Sequence, residues 1–178
     1  SGDVVYFGSF DGNLYAVDLN TGQELWSFET EDEVFSSPAV SGDVVYFGSS
    51  DRNLYAVDIN TGQELWSFET EDKVYSSPAV SGDVVYFGSR DGNLYAVDLN
   101  TGQELWSFET EKKVDSSPAV SGDVVYFGSV DGNLYAVDIN TGQELWSFET
   151  EDEVASSPVV SGDVVYFGSF DGNLYAVK

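Results

Sequence analysis

This sequence predicts an all-β fold of four-stranded antiparallel sheets arrayed about an axis, a β-propeller. Three observations predict it. The 178 residues follow a 40-residue period: SGDVVYFGSFDGNLYAVDLNTGQELWSFETEDEVFSSPAV fills 1–40, near-copies fill 41–80, 81–120 and 121–160, and a partial copy fills 161–178. A fixed period of this length marks a repeat architecture. Each full copy holds four short runs of apolar and aromatic residues bounded by Gly, Asn, Asp and Ser, with no helical period. Runs such as Val44-Val45-Tyr46-Phe47 do not alternate, which implies burial on both sheet faces. Sheets covered on both sides and repeated at this interval stack radially.

The second repeat shows the elements in order. A run over 34–40 ends in the turn Ser41-Gly42-Asp43, and 43–49 forms the next strand. A turn around Asp51 leads to a strand over 53–59, and Asn60-Thr61-Gly62 leads to the last, over 64–69. The Asp11-Gly12-Asn13 turn and its copies have hairpin chemistry and lack the Asp-x-Asp-x-Asp-Gly spacing of a calcium loop. The chain is expected to form one repeat domain over 1–178, with about four blades.

Composition narrows the function. Six Lys and Arg stand against 32 Asp and Glu, a net charge of −26, which argues against nucleic acid and anionic membranes as partners. An acidic surface of this kind suits solubility. There is no Cys, His or Met, so disulfides, thiolate chemistry and the commonest general base are absent. No apolar run is long enough to span a membrane and no signal-peptide pattern is present, so a soluble chain is expected. Ser36-Ser37 and their copies have no His to activate them and are expected to satisfy backbone near the channel. No enzyme, metal site or cofactor is expected. The copies are too alike for inherited duplicates that drift apart, and the chain reads as a composed sequence.

The spacing Ala16, Asp18, Gly22, Trp26 recurs at Ala56/Asp58/Gly62/Trp66, Ala96/Asp98/Gly102/Trp106 and Ala136/Asp138/Gly142/Trp146. With Ser-Ser-Pro-Ala-Val and Asp-Gly-Asn-Leu-Tyr, it resembles the pyrroloquinoline-quinone repeat of quinoprotein dehydrogenases and BamB-like propellers. The resemblance implies that these tryptophans dock each blade on the next. A buried Trp covers on the order of 200 Å² and needs an acceptor for its N–H. Gly22 suits a tight turn, and Asp18 suits hydrogen bonds to nearby backbone N–H groups. The resemblance further implies that 34–40 is the innermost strand A, followed outward by B (43–49), C (53–59) and D (64–69). It implies no cofactor here: quinone-binding relatives use a disulfide ring, a stacking Trp in the channel and a calcium cage, and this chain has no Cys and only the docking tryptophans.

Relatives of this repeat type usually carry seven or eight blades. Four blades alone leave an open arc with exposed blade faces, so a second copy of the chain is expected to close an eight-bladed ring head to tail. The A strand over 154–160 would then meet the D strand over 24–29 of the next copy. Residues 1–17 and 161–177 are identical, so each such junction has one B–C hairpin too many. A larger ring and a compact monomer are the alternatives.

The copies differ at few places. Positions 10, 50, 90, 130 and 170 read Phe10, Ser50, Arg90, Val130 and Phe170; positions 35, 75, 115 and 155 read Phe35, Tyr75, Asp115 and Ala155. Arg52 replaces a Gly, and Lys73, Lys112 and Lys113 interrupt acidic loops. The swaps of Leu and Ile at 19, 59, 99 and 139 and of Val159 for Ala concern packing. The chemically radical differences fall in the B–C turns, the D–A loops and the start of strand A, on one face of a propeller, whereas the opposite face never changes. Binding residues are normally presented on scaffold loops. These thirteen positions are therefore candidates for a recognition surface for a peptide, protein or small ligand, the cations favouring an acidic group. The alternative is symmetry breaking in a purely structural object with no ligand.

Overall fold

A computed structural model describes residues 3–178, arranged as five antiparallel sheets in chain order. The first holds β1 (Val4–Gly8), β2 (Asn13–Asp18) and β3 (Glu24–Glu29). The second holds β4 (Ala39–Ser41), β5 (Val44–Gly48), β6 (Asn53–Asp58) and β7 (Glu64–Glu69). The third holds β8 (Ala79–Ser81), β9 (Val84–Gly88), β10 (Asn93–Asp98) and β11 (Glu104–Glu109). The fourth holds β12 (Ala119–Ser121), β13 (Val124–Gly128), β14 (Asn133–Asp138) and β15 (Glu144–Glu149), and the last β16 (Val159–Ser161), β17 (Val164–Gly168) and β18 (Leu174–Val177). Strands pair in simple meander order, so each sheet is one blade.

Strand A is shorter than the sequence suggests, spanning Ala39–Ser41 rather than 34–40. Pro38 has no N–H to give to a ladder. Ahead of it, the Ser36 hydroxyl donates to the Gly48 carbonyl at 2.9 Å and accepts from the Gly48 N–H at 2.7 Å, replacing the backbone rungs. The Val34 N–H turns to the preceding blade and donates to the Ser9 carbonyl. The A strands lie innermost, each beside the next around the axis. A serine ladder follows them: the N–H groups of Ser37, Ser77 and Ser117 donate to the hydroxyls of Ser77, Ser117 and Ser157 at 2.8, 2.9 and 3.0 Å.

The core lies between blades. Val45, Phe47, Tyr55 and Val57 of the second blade pack on Leu14, Trp26 and Phe28 of the first, and the equivalent residues repeat this at the next junctions. Phe28 meets Phe47 edge-on at 5.9 Å between ring centres, a favoured aromatic geometry. Each fully buried Phe of this kind contributes roughly 2–3 kcal/mol. Phe7 of the first blade and Leu174 of the last are exposed where their equivalents Phe47 and Leu94 are buried, so the end blades do not cover each other and the chain is an open arc.

Candidate functional site

On the rim that carries the C–D turns, three of the four blade junctions are fastened alike. Each C–D pair has a register shift after the Ala of the repeat, as between Ala56 and Val57, with Ala56 opposite Trp66. The small side chain leaves room for the indole. The Trp26 Nε1–H donates to the Ile59 carbonyl at 2.9 Å, Trp66 to Leu99 at 3.0 Å and Trp106 to Ile139 at 2.9 Å. A Cβ on Gly62 would lie 2.8 Å from the Trp26 ring, so this glycine, at φ 68°, serves the turn and the dock together. Asp58 holds the turn: its Oδ1 accepts from the Asn60 N–H, the Thr61 N–H and the Thr61 hydroxyl at 3.0, 2.9 and 2.9 Å. The Thr61 hydroxyl bond, followed by the backbone bonds, holds the Asp58 carboxyl below its ordinary value of 3.8. Asp98 and Asp138 are lowered by the same contacts.

The opposite rim brings together most of the variable residues in one row. Phe10 meets Phe35 edge-on at 4.6 Å, and Phe35 meets Tyr75 at 4.8 Å. The Arg90 guanidinium lies over the Tyr75 ring at 4.5 Å and donates through Nε and Nη2 to the two carboxylate oxygens of Asp115, at 2.9 and 3.1 Å. This bond raises the Arg90 pKa further. Lys73 pairs with Asp32 at 3.4 Å, which raises the lysine; the Glu33 N–H, and after it Lys73, lowers the aspartate. Val130 and Ala155 continue the row half-buried. Beside Ala155 and Phe170 a cleft of about 330 Å³ opens, lined also by Ser156 and Gly168. Lys112 and Lys113 are exposed at a second cleft of about 460 Å³, shared with Arg90, Asp115 and Val130, and form no ion pair among the described residues.

Two candidates sit apart from the row's open surface. Ser50 is buried to 3 % exposure with its hydroxyl unpartnered, so it offers no accessible group to the row's surface. Arg52 points to the outer strand, pairing with exposed Glu69 at 3.4 Å, and at φ 79° it is the one non-glycine with positive φ among the described residues.

The turn aspartate of the repeat does more than shape its hairpin. Asp51 Oδ1 accepts from the Asn53 N–H at 3.0 Å, while its Oδ2 accepts from the Tyr55 hydroxyl at 2.8 Å and from the Glu31 N–H of the preceding blade at 3.1 Å. Asp91 and Asp131 repeat this clamp on Glu71 and Glu111. Burial, then the bond to Asp51, pushes the Tyr55 phenol far up. The pairing of an invariant Asp with a Tyr four residues on was its only trace in the sequence.

Pyrroloquinoline quinone, for which the repeat type is named, does not fit. Trp26, Trp66 and Trp106 are engaged on the far rim, and the row at the channel mouth is closed on itself by Arg90 and Asp115. Among the described residues no group of three or more acidic side chains converges to hold a metal.

Tryptophan-docked blades around a serine-lined axis define a β-propeller of the pyrroloquinoline-quinone repeat class. The family model described as outer membrane protein assembly factor BamB matches residues 1–177, and the chain belongs to that family. A BamB from Marinobacter adhaerens is 50% identical over 36 residues, covering 20% of this chain and 9% of that protein. The structure of BamB from Moraxella catarrhalis overlays with a TM-score of 0.87 at 26% identity, over 98% of this chain and 57% of that one. The computationally designed Ika8 overlays at 0.89 and 28% identity, over 99% of this chain and 55% of its own. The computationally designed Ika4 overlays at 0.79 and 28% identity, over 88% of this chain and 98% of its own. The chain thus spans 9% of the Marinobacter BamB, little more than half of the Moraxella BamB and of Ika8, and nearly all of Ika4.

Proposed function

We propose that this chain is an engineered, non-catalytic propeller scaffold whose varied rim orders its blades. The near-identical repeats and the likeness to designed propellers support the engineered origin. The observation that carries the ordering role is that variable residues 25 positions apart match each other: Phe10 packs on Phe35, and Arg90 forks onto Asp115. Each B–C turn then prefers one particular following blade, which discriminates against slipped or swapped blade order in a chain of near-copies. A composition-neutral swap tests this. Asp115→Ala with Ala155→Asp keeps every residue type and the net charge, yet strands Arg90 and sets a carboxylate against Val130. Chemical denaturation should show a loss of about 1–3 kcal/mol. A swap as stable as the parent would end the ordering role.

A second reading is favoured by what the row leaves open. Phe10 is 71 % exposed, and Lys112 and Lys113 face solvent beside the cleft at Arg90. An aromatic anchor with nearby cations suits a carboxylate-bearing aromatic peptide. Calorimetric titration with a Phe-Glu repeat peptide, against a variant carrying Lys112→Asp and Lys113→Glu, separates the readings: binding lost in the variant supports a recognition surface, and no binding to the parent removes it.

A further inference from the structure

The two ends of the arc leave open parts of a junction that the interior packs four times, three of them with the tryptophan dock complete. At the leading end Phe7 is 44 % exposed, whereas Phe47, its equivalent one blade on, is fully buried at 0%. At the trailing end Leu174 of the last hairpin is 79 % exposed, whereas its equivalent in the leading hairpin, Leu14, is at 0 % because the second blade already covers it. The docking parts divide the same way. Trp146 stands where Trp26, Trp66 and Trp106 stand but has no acceptor for its N–H among the described residues. Gly22 and the Leu19 carbonyl form the matching turn, and a Cβ at Gly22 would meet nothing within 4 Å. A surface carrying one half of a contact at each end joins copies head to tail, and closes when the rotation completes a ring.

We infer that a second copy of this chain is the partner of these faces, and that its first blade displaces the β17–β18 hairpin of its neighbour. In the resulting junction β16 of one protomer pairs with β1 of its partner, and Trp146 seats on the Leu19 carbonyl and Gly22 of the partner subunit. Only one hairpin fits the slot, because residues 163–177 repeat 3–17 letter for letter. Exchange therefore replaces Val165 and Phe167 by identical side chains and costs no packing. The choice between the hairpins rests on one position. Asp18 carries the turn into β3, its Oδ1 accepting from the N–H groups of Asn20 and Thr21 at 2.9 and 2.8 Å and from the Thr21 hydroxyl at 2.9 Å. Lys178 occupies the corresponding place, has no acceptor to offer such a turn, and instead pairs with Asp163 at 3.1 Å. β18 is also shorter than β2, starting at Leu174 rather than at the equivalent of Asn13. The leading blade thus brings an intact turn, a D strand and a dock that the trailing hairpin lacks. The exchange is independent of the rim's role, since it uses the end faces and the opposite rim. The half-length overlap with BamB and Ika8 agrees with two copies making one full propeller.

The test compares two glycine substitutions in the full 178-residue chain. Gly22→Asn and Gly42→Asn both place the side chain that best tolerates left-handed backbone, at φ 69° and 58°, where a Cβ meets nothing in the single chain. Only Gly22 faces a tryptophan in the docked state. Sedimentation velocity of the parent should give twice the chain mass of 19.4 kDa. Gly42→Asn should leave that unchanged, and Gly22→Asn should weaken the dimer by roughly 10- to 100-fold while the circular dichroism of both stays that of the parent. Hydrogen exchange in the dimer should be fast over 162–178 and slow over 3–17. A parent of single-chain mass, equal weakening by the two substitutions, or the reverse exchange pattern would each overturn the inference.

Discussion

The two rims of this propeller hold the same blades together by opposite means. On one, Trp26, Trp66 and Trp106 make one contact three times over, with the same acceptor position and the same glycine beneath the ring. On the other, the invariant Asp51 clamp is overlaid by a row in which each contact differs, from two phenylalanines to an arginine fork on an aspartate. Repetition gives strength at every junction alike and therefore cannot tell one blade from another. Difference adds little strength at each place but distinguishes neighbours. A chain of near-copies needs both, because a fold that any blade could begin has many competing arrangements of nearly equal energy.

The comparison breaks most readily at the repeated rim. Trp66→Ala removes an interior dock with its hydrogen bond to Leu99, and thermal or urea unfolding should show a loss of about 3 kcal/mol. A loss below that expected for the rim swap would reverse the roles assigned to the rims. A smaller effect of opposite sign is expected at Arg52. Its equivalents Gly12, Gly92 and Gly132 have φ of 86°, 97° and 98°, whereas Arg52 holds φ 79° with a Cβ to accommodate. Its exposed pair with Glu69 returns little. Arg52→Gly should stabilise the chain by about 1 kcal/mol in denaturant titration; destabilisation would show that Arg52 is held for a contact on the varied rim.

The smallest effect concerns pH. The carboxyls of Asp58, Asp98 and Asp138 are held low by Thr and backbone donors, so they are lower folded than unfolded. Their contribution is complete above the ordinary value of 3.8 and is lost as pH falls through the lower folded value. Carbon-detected NMR titration should place their midpoints below 3.8, with Thr61 amide protection falling in the same range. Midpoints at or above it would show that the turn does not depend on the carboxylate.

Much of this was legible in the letters. The period, the blade, the docking tryptophans and the side of the propeller on which the copies vary all follow from local chemistry repeated at fixed spacing. The length of strand A was not, because whether Val34 extends a ladder depends on Ser9 in another blade and on Ser36 taking the place of backbone rungs. The burial of Ser50 was hidden for a similar reason: its position is a turn by sequence, and its N–H is taken up by the Glu33 carbonyl of the D–A loop. The offset of 25 between Phe10 and Phe35, and between Arg90 and Asp115, is written in the sequence but has no meaning until one blade's turn is laid against the next blade's inner strand.

The first and last hairpins show where the division falls. Residues 3–17 and 163–177 are the same string, and each forms a paired B–C hairpin, because turn chemistry and strand propensity act within a few residues. Yet Leu14 is buried where Leu174 is bare, and Phe167 is buried where Phe7 is open. Burial belongs to whatever lies against a face, and identical letters at the two ends of an arc have different neighbours.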